Sequence, residues 1–220
     1  MQPALPDPLP ENPLPLVERW LAEASESLRS ATAMTLATVE PDGRPSARMV
    51  ICRGFDAEAG WLAFYTDRES PKGSALAAHP RAALVFHWDT FERQIRVEGP
   101  VTLAPDADSD AYWGSRPVEA RIAATTSQQS RPLESRAALL ERVQATARRL
   151  SDAEVPRPPR WGGYRVWAER VELWVGQPAR LHDRALWTRS LDHDSLAHHS
   201  LTHEGDRLVA GPWRATRLQP

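Results

Sequence analysis

The chain has 220 residues, with 27 Lys and Arg against 29 Asp and Glu and a formal charge of −2. That length suffices for one β-rich domain with a substantial core, and the balanced charge gives no global basic field for nucleic acid or an anionic membrane surface. The single cysteine, Cys52, excludes an intramolecular disulfide and makes a cytoplasmic protein the expectation.

Residues 1–12, MQPALPDPLPEN, lack the basic start and apolar stretch of an export signal. They read as a proline-rich, partly disordered arm, with residues 13–220 as one domain. From Pro15 a helix is expected, since Leu16, Val17, Trp20, Leu21, Ala24 and Leu28 fall on one face. The period then changes to two. Residues 33–39 and 46–55, joined by EPDGRP, read as a hairpin, and strands follow at 60–66, 81–88 and 93–104. The run at 82–88 is far too short to span a bilayer. Helices are expected near 70–78, 106–114 and 133–150, the last with a packing stripe of Leu133, Ala137, Leu140, Val143, Ala147 and Leu150. Strands at 162–176 and 211–220 complete a mainly β fold with added helices, a β-barrel decorated by helices. A polar insertion at about 188–210 carries His193, His198, His199 and His203. Without cysteine or helical spacing it reads as a solvated loop, and no metal site is expected.

The stretch GQPARLHDRALW (176–187) concentrates Arg180, His182, Asp183 and Arg184. If extended, it would put Arg180, His182 and Arg184 on one face and Leu181 and Asp183 on the other. Such a face suits a charged sheet edge or the wall of an anion pocket; spacing alone leaves both open.

The segment VELWVGQPARLHDR (171–184) resembles the C-terminal signature of the pyridoxine (pyridoxamine) 5′-phosphate oxidases. SARMV, FYTDRESPKG, ERQIRVEG, YWGSRP, SQQS and WGGYRV resemble the same family in the same order. The resemblance implies an FMN-binding split barrel that forms a homodimer, each site drawing on both chains. It also implies oxidation of pyridoxamine or pyridoxine 5′-phosphate to pyridoxal 5′-phosphate, with hydride transfer to the flavin, reoxidation by dioxygen and release of hydrogen peroxide.

Residue roles follow from the same resemblance. Arg48, Lys72 and Ser130 would hold the flavin phosphate, with Tyr65, Thr66 and Gln129 nearby and Met49, Val50 and Ile51 also against the cofactor. Gln94, Trp174 and Arg184 would meet the flavin ring. Arg53, Tyr112 and Arg116 would take the substrate phosphate, while Arg180 and His182 would face the substrate ring as catalytic residues. The chemistry suits these types, because a phosphate dianion leaving water needs several charge-assisted donors at about 1.5–3 kcal/mol each. Asp183 would be structural, paired with a cation.

Three positions depart from the family pattern: Arg53 replaces a lysine, Pro71 an arginine and Ala120 a serine. Arg68 and Arg131 are candidate replacements for the donor lost at Pro71. Arg53 and Ala120 keep open a related flavin oxidoreductase acting on another small aromatic substrate; a noncatalytic FMN- or pyridoxal-phosphate-binding module is the remaining alternative.

Overall fold

A computed structural model describes residues 4–150, 155–192 and 208–220. The first helix, α1 (Leu14–Ser27), carries Pro15 in its opening turn, where a missing N–H leaves no helical bond unmade. Leu16, Val17, Trp20, Leu21 and Ala24 are buried along one side, as their spacing predicts. Strands β1 (Ala33–Val39) and β2 (Pro45–Ile51) form the expected hairpin. Its turn places Gly43 at φ 88, a left-handed setting that glycine fills without strain.

The expected strand 46–55 is divided. The Cys52 N–H bonds the Thr32 carbonyl, whereas the next N–H, of Arg53, bonds Ala63. Between those two residues the chain changes sheet, and β3 (Gly54–Asp56) pairs with β4 (Trp61–Asp67). Next come α2 (Pro71–Ala78), β5 (Arg81–Trp88) and β6 (Arg93–Leu103). Helices α3 (Asp106–Ser115), α4 (Val118–Thr126) and α5 (Arg136–Arg149) follow. Then β7 (Trp161–Trp167), β8 (Arg170–Val175), β9 (Asp183–Thr188), β10 (Leu191–Asp192), β11 (Val209–Ala210) and β12 (Arg214–Leu218) end the order.

The main sheet runs β12-β9-β8-β6-β5-β1-β2. Strand β6 belongs to two layers. Its first half pairs with β5 and β8, while Val101–Leu103 pairs with β7, which in turn pairs with β4. The crossing needs Gly99, since a Cβ there would lie 1.9 Å from the Trp167 carbonyl oxygen. The expected single strand 162–176 therefore splits at Ala168 and Glu169, where the chain passes from the β4–β7 layer to the main sheet. The result is a split barrel with peripheral helices, filled by Leu36, Leu62, Phe64, Leu84, Phe86 and Ile95.

Four other features depart from expectation. Helix α4 falls between the two predicted helices, and β9 takes up only the end of the stretch read as extended and runs on to Thr188. The α5 stripe does not pack into the core: no residue of α5 is buried, and Leu133 and Leu140 are 44% and 47% exposed, because this helix lies outside the barrel against α4. The arm is anchored at Leu5 and near Pro10. Leu5 is buried and its N–H bonds Asp183 Oδ2 at 2.8 Å, while Trp187 Nε1 donates to the Pro10 carbonyl at 2.8 Å. In the polar insertion, Leu191 pairs with Ala210; the four histidines lie outside the described residues. No helix among the described residues is long and apolar enough to cross a membrane.

Candidate active site

Residues from both layers of the barrel and from α2–α4 enclose a cleft of about 290 Å³. Strand β2 contributes Met49, Val50 and Ile51, with Arg53 just beyond it, and β4 contributes Tyr65 and Thr66. Lys72 enters from α2, Tyr112 and Arg116 from α3 and its end, and Gln129 from the segment after α4. Ten predicted site residues thus converge.

The aromatic floor follows from strand register. Tyr65 lies opposite Gly163, where a Cβ would come within 2.6 Å of the Tyr65 ring. Glycine lets the ring settle, 4.4 Å from Tyr112 and stacked 5.7 Å from Trp161. Trp161 received no role from the sequence, although WGGYRV contained it. Arg116 lies over both Trp161 and Trp113, at 4.9 and 5.2 Å. Burial holds its guanidinium below the usual range, and its Nη1 is buried without a hydrogen-bond partner among the described residues. Arg53 is exposed at the rim, 5.7 Å from the Tyr112 ring.

Lys72 is buried one position after Pro71, which occupies the first turn of α2. Its ammonium donates to Thr66 Oγ1 and Ser70 Oγ at 3.1 Å and to Gln129 Oε1. All three are neutral oxygens. Burial, reinforced by the nearby Arg48 charge, brings its pKa down to about 8. The neighbouring Asp67 carboxylate is already engaged by Arg160 Nε at 2.9 Å. Arg160 also donates to the carbonyls of Ala124, Thr125 and Ser127 at the end of α4, a clamp the sequence did not reveal.

Several predicted residues lie elsewhere. Arg48 points to the opposite face of β2 from Met49. It donates to the Leu36 carbonyl, Thr38 Oγ1 and Ser46 Oγ, lies 3.6 Å from Glu40, and does not line the cleft. Ser130 is exposed at φ 66 beyond Gln129. Arg68 covers Gly162, whose added Cβ would lie 2.3 Å from Nη2. Arg131 lines a neighbouring pocket of about 630 Å³ with Gln129.

The remaining predicted residues form a second cluster across β6, β8 and β9. Gln94 pairs with Trp174, and Trp174 with Arg184, so the three make one row. His182 lies 4.7 Å from the Trp174 ring, and its Nδ1 accepts the Gln177 N–H at 3.2 Å. The extended reading of 180–184 fails at its start. Ala179 and Arg180 have left-handed φ values of 55 and 61, Leu181 is 70% exposed, and β9 begins only at Asp183. Asp183 is structural as expected; its cation is Arg217, at 2.7 Å.

Within one chain the clusters do not meet. Cross-strand pairing runs Met49–Thr35–Val85–Arg96–Glu172. Four strand spacings of about 4.8 Å separate β2 from β8 by roughly 19 Å along the sheet. A cation-lined cleft suited to an anion and an aromatic, arginine-flanked row thus lie on separate parts of one split barrel.

Two family patterns cover most of the chain. The family described as "Pyridoxamine 5'-phosphate oxidase" matches residues 21–147, and "Pyridoxine 5'-phosphate oxidase C-terminal dimerisation region" matches residues 161–220. The chain belongs to the pyridoxine/pyridoxamine 5′-phosphate oxidase family. It is 49% identical to the Azorhizobium caulinodans pyridoxine/pyridoxamine 5′-phosphate oxidase over 81% of this chain and 84% of that one. It is 44% identical to the Rhodopseudomonas palustris (strain HaA2) oxidase over 96% of this chain and 91% of that one. Among solved structures it resembles PhzG from Burkholderia lata, crystallised with tetrahydrophenazine-1-carboxylic acid. That match has a TM-score of 0.80 and 29% identity, and covers 96% of this chain and 94% of the other.

Proposed function

We infer that this protein is an FMN-dependent pyridoxine/pyridoxamine 5′-phosphate oxidase that works as a homodimer. The observation that carries this reading is the cleft's surplus of buried positive charge. Lys72 meets only neutral acceptors, Arg116 keeps an unfilled donor, and Asp67 is committed to Arg160. A buried cation without a counter-ion is unfavourable, and a phosphate ester relieves it. The residues present therefore fit FMN and a phosphorylated substrate.

Bound FMN would supply the electron acceptor for substrate oxidation, with dioxygen as the final acceptor and hydrogen peroxide as its product. The chain supplies placement. Lys72, Thr66 and Gln129 hold the flavin phosphate, and Gln94, Trp174 and Arg184 of the other copy hold the ring. Arg116, Tyr112 and Arg53 receive the substrate phosphate. Arg180 covers the substrate ring. A neutral His182 whose Nδ1 accepts an N–H carries its proton on Nε2. That tautomer favours an orienting donor toward the substrate over a proton acceptor. The one cysteine, a buried free thiol, suits a reducing cytoplasm.

Arg53 and Ala120 favour a second reading in which the same flavin site serves another small aromatic substrate. One experiment decides between them. The purified protein is expected to be yellow, to bleach on anaerobic addition of pyridoxamine 5′-phosphate, and to form one peroxide per turnover in air. Bound flavin that neither B6 phosphate reduces, but that another aromatic compound does, overturns the first reading in favour of the second.

A further inference from the structure

The second cluster contains a buried carboxylate with no part in the proposed chemistry. Glu172 uses both oxygens on arginines. Oε1 accepts from Arg184 Nε and Nη2 at 3.0 and 2.7 Å, and Oε2 accepts from Arg96 Nη1 at 2.9 Å. Arg96 also donates to Glu98, which accepts from Arg170 Nε at 3.1 Å. Charges therefore alternate across three strands as Arg184, Glu172, Arg96, Glu98, Arg170. Arg184 is fixed at its other edge as well, donating Nη1 to the Gln219 carbonyl at 3.0 Å. A surface ladder of this kind contributes little to stability, but Glu172 is buried, so its charge is poorly screened and acts on whatever Arg184 touches.

We propose that Glu172 is a positioning residue that holds Arg184 in line with Gln94 and Trp174 and offsets its charge, so that the Arg96–Glu172–Arg184 triad sets the flavin's reduction potential. The proposal rests on the reading above that Arg184 meets the flavin ring. Reduction places negative charge on the flavin, so each cation nearby favours the reduced form and each anion the oxidised form. Glu172 then lowers the potential that Arg184 alone would give, and Arg96, beyond it, raises it again.

The test measures flavin midpoint potential by equilibration with a reference dye, and FMN affinity by fluorescence, in the intact dimers of E172Q, R96Q and R184Q. E172Q is expected to favour reduced over oxidised flavin by about tenfold, a shift of about 30 mV upward for a two-electron couple. R96Q and R184Q are expected to shift it downward. Opposite signs are what a purely structural role cannot produce, because loosened packing moves all three variants alike. If E172Q fails to fold, E172D serves: it keeps the charge, so its ratio of reduced to oxidised flavin stays within about twofold of wild type, under about 10 mV, while FMN affinity falls. An unchanged or lowered potential in E172Q, or a shift in E172D as large as that expected of E172Q, overturns the proposal. If R184Q still lowers the potential in that case, the flavin-site reading stands without it; if R184Q changes neither potential nor FMN affinity, both fall.

Discussion

Replacing Lys72 with Met is expected to make the flavin-free protein more stable while weakening its hold on FMN. The pKa of Lys72 stands at about 8 against an ordinary 10.5, a difference worth about 3 kcal/mol against the charged form at neutral pH. Methionine removes that charge and keeps a chain of similar length. The oxygens left behind are partly served: Ser70 Oγ still donates to the Asp67 carbonyl at 2.6 Å, and Thr66 Oγ1 to Gln129 Oε1 at 3.0 Å. A net gain of about 2 kcal/mol at pH 7 remains after subtracting about 1 kcal/mol for lost hydrogen bonding. The sign with pH follows from linkage. The folded pKa lies below the unfolded one, so between about pH 8 and 10.5 the unfolded wild type binds more protons and its stability rises with pH. The advantage of the variant is therefore full below pH 8 and has closed by about pH 10.5. Urea unfolding of both apo proteins at pH 7 and pH 10, at one fixed protein concentration, reads this directly, and FMN titration of the same samples should show at least tenfold weaker binding. A variant less stable than wild type at pH 7, or a gap independent of pH, refutes the reasoning.

Arg116→Ala should raise KM for pyridoxamine 5′-phosphate by about 10- to 100-fold, the loss of a charge-assisted donor, with little change in melting temperature; steady-state kinetics and thermal unfolding check both halves. Gly163→Ala should push the Tyr65 ring off the cleft floor and destabilise the protein by about 1–3 kcal/mol, read by urea unfolding and by loss of FMN fluorescence quenching. Arg160→Ala leaves the Asp67 carboxylate buried without its partner and should cost about 3 kcal/mol, seen as a lower unfolding midpoint. Asp183→Ala should release the arm, because Leu5 N–H and Arg217 lose a shared acceptor; faster proteolysis near Leu5 with an unchanged fluorescence spectrum of the core is the expected result.

Much of this was legible in the sequence, and the reasons differ by element. Helix α1 and the β1–β2 hairpin follow from local periodicity and one turn. The divisions at Cys52 and Ala168 do not, because both halves of each segment are equally strand-like and only the change of pairing partner separates them. The α5 stripe looked like core because its spacing is right, yet spacing does not say whether another element will cover it. Lys72, Tyr112 and Arg116, which the ordered motifs single out, come together in one cleft. Trp161 and Arg160 were missed because their roles depend on what β4 and α4 bring beside them. Arg48 shares the face of Val50 and its charge reaches Lys72, but its guanidinium is turned to Leu36, Thr38 and Ser46, which the sequence does not show.

The wide spacing of the two clusters along one sheet has a genetic consequence. A chain crippled at Arg116 and another crippled at Arg184 would each be inactive alone. Co-expressed, they would pair at random, and about half the dimers would be mixed, each with one sound pocket and one doubly damaged one. Two null alleles would then complement each other to about a quarter of normal output, whereas two lesions in the same cluster would not.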